Sequence, residues 1–279
     1  MSDARWELIE PVLTAWRLEC RRTALHFGRP PGHDLRDTRD AISYVDRTVV
    51  QGRCLPHDFP PWNTAYGYFA KWADEGVFAQ LNGLLRQLLR EEEGRSGEPS
   101  ACVIDAQSVK TSTSVPTSSR AIGAGKKTVG RKRSIVTGTL GLLLAVLVTV
   151  ASVQDSTAGT RLLGPGRRGS PRHPESVGRL RLPPASRRAC RRSRHRHGDH
   201  RPQARDQGIH PLPKRWAVEP AHGWLMLHRR LARGCETLPT RSEAMVHLGM
   251  TGLMDRRLTS ENTLSWRDPK SATEHPIAR

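Results

Sequence analysis

Aromatic side chains and acidic residues are both scarce in this chain of 279 residues. Phe, Trp and Tyr make up 5% of the sequence and all hydrophobic residues 36%, which is low for a globular protein of this length. We therefore expect part of the chain to lie outside any packed core. Only 27 Asp and Glu stand against 45 Lys and Arg, a formal net charge of +18. Such an excess favours a polyanionic partner such as nucleic acid over an acidic small molecule or a neutral peptide.

Long hydrophobic runs and paired cysteine motifs are missing as well. The longest apolar run, residues 140–153, is shorter than the ~20 residues that a membrane helix needs. It therefore predicts a buried strand and no membrane partner. The first residues enter an amphipathic pattern without a secretory signal, which predicts a cytoplasmic, nucleoid-associated protein. No C-x-x-C pair is present, which argues against a zinc ribbon.

One segment concentrates the positive charge. Residues 164–205 contain 13 Arg, no Lys and only two acids, so that their net charge is +11. The same residues include six Pro, no aromatic side chain and few apolar ones, too few to offset the entropy cost of ordering the backbone. We therefore predict that this Arg-rich segment, with its boundaries set at 164–207, is disordered.

The first 95 residues predict a helical module. Residues 6–25 have the apolar spacing of one helix face. Asp34 is placed to cap a second helix and Thr64 a third, and residues 77–89 predict a fourth. Short helices separated by Gly and Pro turns are typical of a helix-turn-helix-like DNA-binding module. An ordinary helical bundle without DNA contact fits the same pattern, and this alternative stays open.

The pattern changes to strands after residue 95. Residues 101–106 predict a short apolar strand that ends near a carboxylate, Asp105. Residues 134–151 predict a β-hairpin that turns at Gly138-Thr-Leu-Gly141. Apolar spacing predicts helices over residues 155–163, 216–231 and 243–258. Strands and helices together predict an α/β domain after the helical module.

Asp105 and Glu219 are the two acids that we select for chemistry, because both lie in basic surroundings. Enzymes that transfer phosphoryl groups on DNA use carboxylates from different elements to hold two divalent metal ions beside the scissile phosphate. Hard carboxylate oxygens suit Mg²⁺. The plain alternative stays open: Asp105 would cap a turn, and Glu219 would pair with Arg215 one helical turn before it.

Several motifs together are more specific than either acid alone. They are Val103-Ile-Asp-Ala-Gln-Ser-Val-Lys110, Gly130-Arg-Lys-Arg133, Lys214-Arg-Trp-Ala-Val-Glu219, Gly223-Trp-Leu225 and His228-Arg-Arg-Leu231. They closely resemble insertion-sequence transposases of the DDE class, in the IS-five group. The amino-terminal segments Trp6-Glu-Leu-Ile-Glu-Pro11 and Phe59-Pro-Pro-Trp62 are similar to the helical domain that precedes the catalytic domain in this group. The resemblance covers roughly residues 1–163 and 208–268.

This resemblance implies an RNase H-like α/β fold with metal-dependent DNA cleavage and strand transfer at the ends of the element. It implies Mg²⁺ or Mn²⁺ as the cofactor, double-stranded DNA as the partner at terminal repeats and target, and scope for self-association. Asp105 matches the first acid of the family's metal-binding trio, and Glu219 matches the last, so both would be catalytic and metal-binding. Basic residues would contact DNA phosphates: Lys110, Lys126, Lys127, Arg131, Lys132, Arg133, Arg215, Arg229 and Arg230.

The second acid of the trio has no counterpart in this sequence. In the family it is an Asp in an apolar strand, followed closely by Gly and Tyr, and the Arg-rich segment occupies its expected place. Two further residues depart from the family pattern. Relatives often have an acid at the position of Gly138, and they usually have Arg at the position of Pro220. A proline after Glu219 is tolerable only if Glu219 lies near a helix start. If the chain as written is active, Asp155 is the candidate replacement.

A shifted reading frame would explain the sudden change of composition. One allowed back-translation of residues 177–185, read one nucleotide later, gives Trp-Val-Asp-Cys-Gly-Tyr, which is the missing motif. The prediction is thus a transposase with a defective catalytic centre. The alternatives are a non-catalytic DNA-binding regulator of transposition and a decayed gene product. The predicted segments are a helical DNA-binding domain (1–95), the first part of the RNase H-like domain (96–163), the out-of-frame segment (164–207), a C-terminal helical part (208–268) and a tail (269–279).

Overall fold

The described part of the chain is a mixed α/β structure. A computed structural model describes residues 1–23, 32–123, 125, 127–163 and 218–261. These ranges hold seven α-helices: α1 (Asp3–Thr23), α2 (Leu35–Thr48), α3 (Trp62–Asp74), α4 (Val77–Glu92), α5 (Asp155–Leu163), α6 (Glu219–Met226) and α7 (Pro239–Leu258). Their four strands are β1 (Cys102–Lys110), β2 (Ala121–Ile122), β3 (Val129–Gly138) and β4 (Leu143–Val150). The predictions for 164–207 and 269–279 lie outside the described residues.

The helix caps show where local sequence signals succeed and fail. The Asp34 carboxylate accepts hydrogen bonds from the backbone N–H groups of Arg36 (2.6 Å) and Asp37 (3.2 Å), so the predicted cap of α2 is confirmed. The predicted cap Thr64 is wrong, because α3 already begins at Trp62. Pro61, with φ fixed at −48°, precedes that first residue and sets the entry of the chain into the helix.

All strands of the sheet pair with β3 in antiparallel fashion. The turn between β3 and β4 is the predicted one: Gly141 has φ +74°, and the Gly138 N–H donates to the Leu142 carbonyl at 3.0 Å. β1 does not end near Asp105, as the sequence predicted, but continues to Lys110. The polar residues in the second half of β1 remain in the strand because each of them pairs with β3, up to Lys110 opposite Gly130.

A single hydrophobic cluster joins the first helices to the sheet and the last helix. It contains Leu13 of α1, Phe78 of α4, Ile135 of β3, Leu225 of α6 and Met250 of α7, all 2% exposed or less. The predicted boundary after residue 95 therefore does not separate two cores. The assignment of residues 1–95 to DNA binding stays a prediction.

The second face of the sheet is covered by α5, which begins at the predicted Asp155. A smaller cluster there includes Val136 and Ala145, with Leu162 of α5 packed against it. The helix predicted over residues 216–231 is shorter than expected, since α6 ends at Met226. His228 has the extended backbone angles φ −95° and ψ 102°, which interrupt the helix before a short 3₁₀ turn.

In the ranges that are described, no helix combines the length and the apolar character needed to cross a membrane.

Candidate active site

Asp105 lies in the middle of β1 with its side chain 46% exposed. It pairs across the sheet with Ile135, and directly opposed residues of an antiparallel pair point to the same face. Asp105 therefore faces the side of the sheet that carries α6 and α7. On this side, His222 Nε2 of α6 lies 3.2 Å from Asp105 Oδ2. The strand with the first predicted acid is thus in direct contact with the helix that carries the last one.

Glu219 is the first residue of α6 and is exposed. Pro220 follows in the first turn of the helix, where a missing backbone N–H breaks no intrahelical hydrogen bond. The condition that the sequence set for this proline is therefore met. Val218, Ala221 and Leu225 are buried and fix the helix to the core.

His222 was not selected from the sequence, although a signal was available. It follows Glu219 by three positions, and residues three apart lie on the same face of a helix. The face that presents Glu219 therefore also presents the imidazole that reaches Asp105. Both ring nitrogens of His222 are buried and lack a hydrogen-bond partner in the described residues. The contact with Asp105 is thus a close approach that does not meet the geometry of a hydrogen bond.

The residues that the structure describes do not form a complete site for a divalent metal ion. Within the described ranges, no group of three or more His, Cys, Asp or Glu side chains is arranged to hold one. Asp105 and Glu219 provide the carboxylate oxygens that Mg²⁺ prefers. The place where the family's second Asp would follow, between α5 and α6, lies outside the described residues. We therefore derive no catalytic step through a metal ion.

Asp155 is not placed to replace the missing acid. Its carboxylate lies 3.0 Å from Lys132 Nζ, which also donates to the Val153 carbonyl at 2.7 Å. Lys132 is three positions from Ile135 on β3, so its side chain points to the opposite face of the sheet from Ile135 and Asp105. The two carboxylates are therefore on opposite sides of the sheet.

Arg131 and Arg133 do not fit the prediction that they contact DNA phosphates, because they are only 2% and 3% exposed. The Arg131 guanidinium donates to the carbonyls of Glu236 (2.6 Å) and Thr237 (2.5 Å). Arg133 donates to the Leu231 carbonyl at 3.1 Å. Burial lowers the pKa of Arg133 to about 10. Both side chains link β3 by hydrogen bonds to the segment between α6 and α7, which is a structural role.

The other predicted phosphate contacts divide into three groups. Lys110, Lys127 and Arg229 are exposed and form no ion pair with any described residue. Arg230 is engaged, because its Nε donates to Glu236 Oε1 at 2.6 Å, and Lys132 is paired as described above. Lys126 and Arg215 lie outside the described residues.

Comparison with known protein families decides the identity. A family model for transposases of the IS4/5 family matches residues 1–82, and a model for the transposase DDE domain matches residues 96–177. The chain belongs to the IS4/5-type DDE transposases. The second match includes Asp105 but ends before Glu219, so the role of Glu219 in this transposase rests on its motif alone. No curated protein and no solved structure matches the chain.

Proposed function

We propose that this transposase binds double-stranded DNA at the ends of its insertion element and that, as written, it does not cleave them. The observation that carries the proposal is the contact between β1 and α6. It brings Asp105, inside the matched DDE domain, to the helix that begins with Glu219. Two acids of the expected trio are thus on neighbouring elements, while the sequence has no Asp-x-Gly-Tyr motif for the second acid.

Electrostatics support DNA as the partner. The net charge of +18 attracts a polyanion over long range. Lys110, at the end of β1, and Lys127, before β3, project from the sheet, and Arg229 projects from the 3₁₀ turn after α6. Each exposed cation that neutralises a phosphate releases counterions, so binding should weaken steeply as salt is raised.

The catalytic defect follows from the geometry that phosphoryl transfer requires. Two metal ions must flank the scissile phosphate and stabilise both the attacking and the leaving oxygen. Two carboxylates cannot hold both ions in line, and the described residues offer no third ligand to complete the group. Weak binding of divalent metal is therefore expected for the chain as written.

Restoring the reading frame across residues 164–207 tests this proposal. The repaired protein should show Mg²⁺-dependent cleavage of a duplex that carries the element end, whereas the original chain should show none. Within the repaired protein, Asp105→Asn and Glu219→Gln should abolish cleavage. Asp155→Asn is the matched control and should retain it, because Asp155 lies on the other face of the sheet. Cleavage by the original chain would contradict the proposed defect.

A second candidate function is that of a non-catalytic regulator, favoured by the match of residues 1–82 to the family. A chain that binds element ends without cutting them would compete with an active transposase. The test adds the original chain to a cleavage reaction of the repaired protein. A regulator would inhibit cleavage in proportion to its occupancy of the element ends, and an unfolded gene product would have no effect.

A further inference from the structure

His222 lies in the candidate active site but has no role in the proposed function. Its Nε2 atom is 3.2 Å from Asp105 Oδ2, and its side chain is 14% exposed. Both ring nitrogens are buried, and neither has a hydrogen-bond partner among the described residues. Because buried polar atoms are nearly always paired, an unpartnered imidazole beside a carboxylate indicates a site for a ligand.

The distance between His222 Nε2 and Asp105 Oδ2 fits two ligands of one metal ion. Zinc binds imidazole nitrogen and carboxylate oxygen at ~2.0–2.2 Å. An ion at about 2.1 Å from both atoms would hold them at an angle of roughly 100°, between the octahedral and the tetrahedral value. The missing hydrogen-bond geometry agrees with this arrangement, since the lone pairs of two ligands converge on the ion and not on each other.

The two donor atoms also select the kind of ion. Mg²⁺ prefers oxygen ligands, whereas imidazole nitrogen suits Zn²⁺ and other first-row transition ions. One oxygen and one nitrogen thus differ from the three carboxylates that the family resemblance implies. Within the described residues no third His, Cys, Asp or Glu completes a metal-binding group, so water must fill the remaining positions. The pair therefore determines which ion is preferred and does not make binding tight.

We propose that Asp105 and His222 form a weak metal site that prefers Zn²⁺ to Mg²⁺. Ala221 and Leu225 are buried and fix α6 to the core, so the imidazole is held beside β1. The Asp105 side chain is 46% exposed, which gives an ion access from solvent. This inference rests on the proposed function only in treating Asp105 as an acid that holds metal. The competing explanation is that a small rotation of the ring completes a hydrogen bond between His222 and Asp105, with no metal involved.

The test follows the imidazole nitrogens of the full chain by ¹⁵N NMR while zinc chloride is added in the absence of DNA. The resonances that disappear in His222→Gln, or in His222→Phe if the first variant does not fold, identify this ring among the 12 histidines. We expect Zn²⁺ to shift the Nε2 resonance of His222, and magnesium chloride at the same concentration to leave it in place.

The variant Asp105→Asn tests whether the carboxylate is the second ligand. It should raise the Zn²⁺ concentration that gives half of the shift by at least about tenfold, since even outer-shell partners of a metal ligand contribute that much. The matched control is Asp155→Asn, which makes the same chemical change on the other face of the sheet. We expect this control to respond to Zn²⁺ as the original chain does.

Three results would each overturn the metal site: no response of His222 to Zn²⁺, an equal response to Mg²⁺, or an equal response to Zn²⁺ in Asp105→Asn. The first of these would leave the hydrogen-bond explanation. Fluorescence anisotropy with a labelled duplex of the element end tests the proposed function separately on the same chain. Duplex binding without a Zn²⁺ response removes the metal site and leaves the proposed function in place. A Zn²⁺ response without duplex binding removes the proposed function and leaves the metal site.

Discussion

His247 should make the stability of this transposase depend strongly on pH. It lies within α7, is 3% exposed, and neither of its ring nitrogens has a hydrogen-bond partner in the described residues. Burial, helped by the charge of the neighbouring Arg86, lowers the pKa of His247 to about 3 from an ordinary value of 6.5. The native state therefore keeps this imidazole neutral.

The sign and size of the effect follow from proton linkage. Below pH 6.5 the unfolded chain protonates His247, whereas the folded chain does so only near pH 3. The contribution of His247 to the unfolding free energy is therefore fully present above pH 6.5 and is lost as the pH falls towards 3. Between pH 6.5 and pH 5, an interval of about 1.5 pH units, the unfolding free energy falls by ~1.36 kcal/mol per unit. The loss at pH 5 is therefore about 2 kcal/mol.

Urea denaturation at pH 7 and pH 5, monitored by circular dichroism, measures how the unfolding free energy depends on pH. His247→Leu should reduce the fall in unfolding free energy between the two pH values by about 2 kcal/mol. His57→Gln is the control, because the His57 side chain is 98% exposed, and its pH dependence should equal that of the original chain. The comparison uses differences between pH values, so any packing cost of leucine cancels. An unchanged pH dependence in His247→Leu would refute the argument.

Two further predictions concern stability. Asp34→Ala should lower the unfolding free energy by about 1 kcal/mol through loss of the α2 cap, while Asp34→Asn should lose much less, and equal losses in urea titrations would contradict the capping role. Asp255→Asn should cost about 3–5 kcal/mol, because Arg5 and Arg39 would keep buried charges without a carboxylate. A thermal melt of Asp255→Asn that overlays that of the original chain would show that this ion-pair cluster does not support the fold.

The sequence predicted those features that depend on residues close together in the chain. The Asp34 cap and the glycine turn between β3 and β4 are local, since their donors and acceptors lie within a few residues. The prediction of Thr64 as a cap was wrong because the neighbouring Pro61 also specifies a helix start. Short-range signals do not determine which of the two residues begins the helix. Asp105, in contrast, was located by a family motif, which needs no knowledge of the contacts around it.

What the sequence did not predict depends on contacts between distant segments. Arg131 and Arg133 were expected at the surface because they lie in a basic run, yet they alternate with Lys132 and share the face of Ile135. The period of two was a signal for their burial, but only the segment after α6 supplies the carbonyls that make burial favourable. The contact of His222 with Asp105 likewise joins residues far apart in the sequence.

The shared core can be completed only after the last helix has been synthesised. The apolar faces of α1–α4 are completed by α7, and the ribosome adds 166 residues after Glu92 before Leu258 is in place. At typical translation speeds the ribosome takes roughly 10–30 s to add that length. During this interval the first helices are made and can pack against one another, but their apolar side chains that face α7 have no partner. The Arg-rich segment is also synthesised before this partner is available. Nascent chains of this transposase should therefore depend on chaperones until the last helix leaves the ribosome.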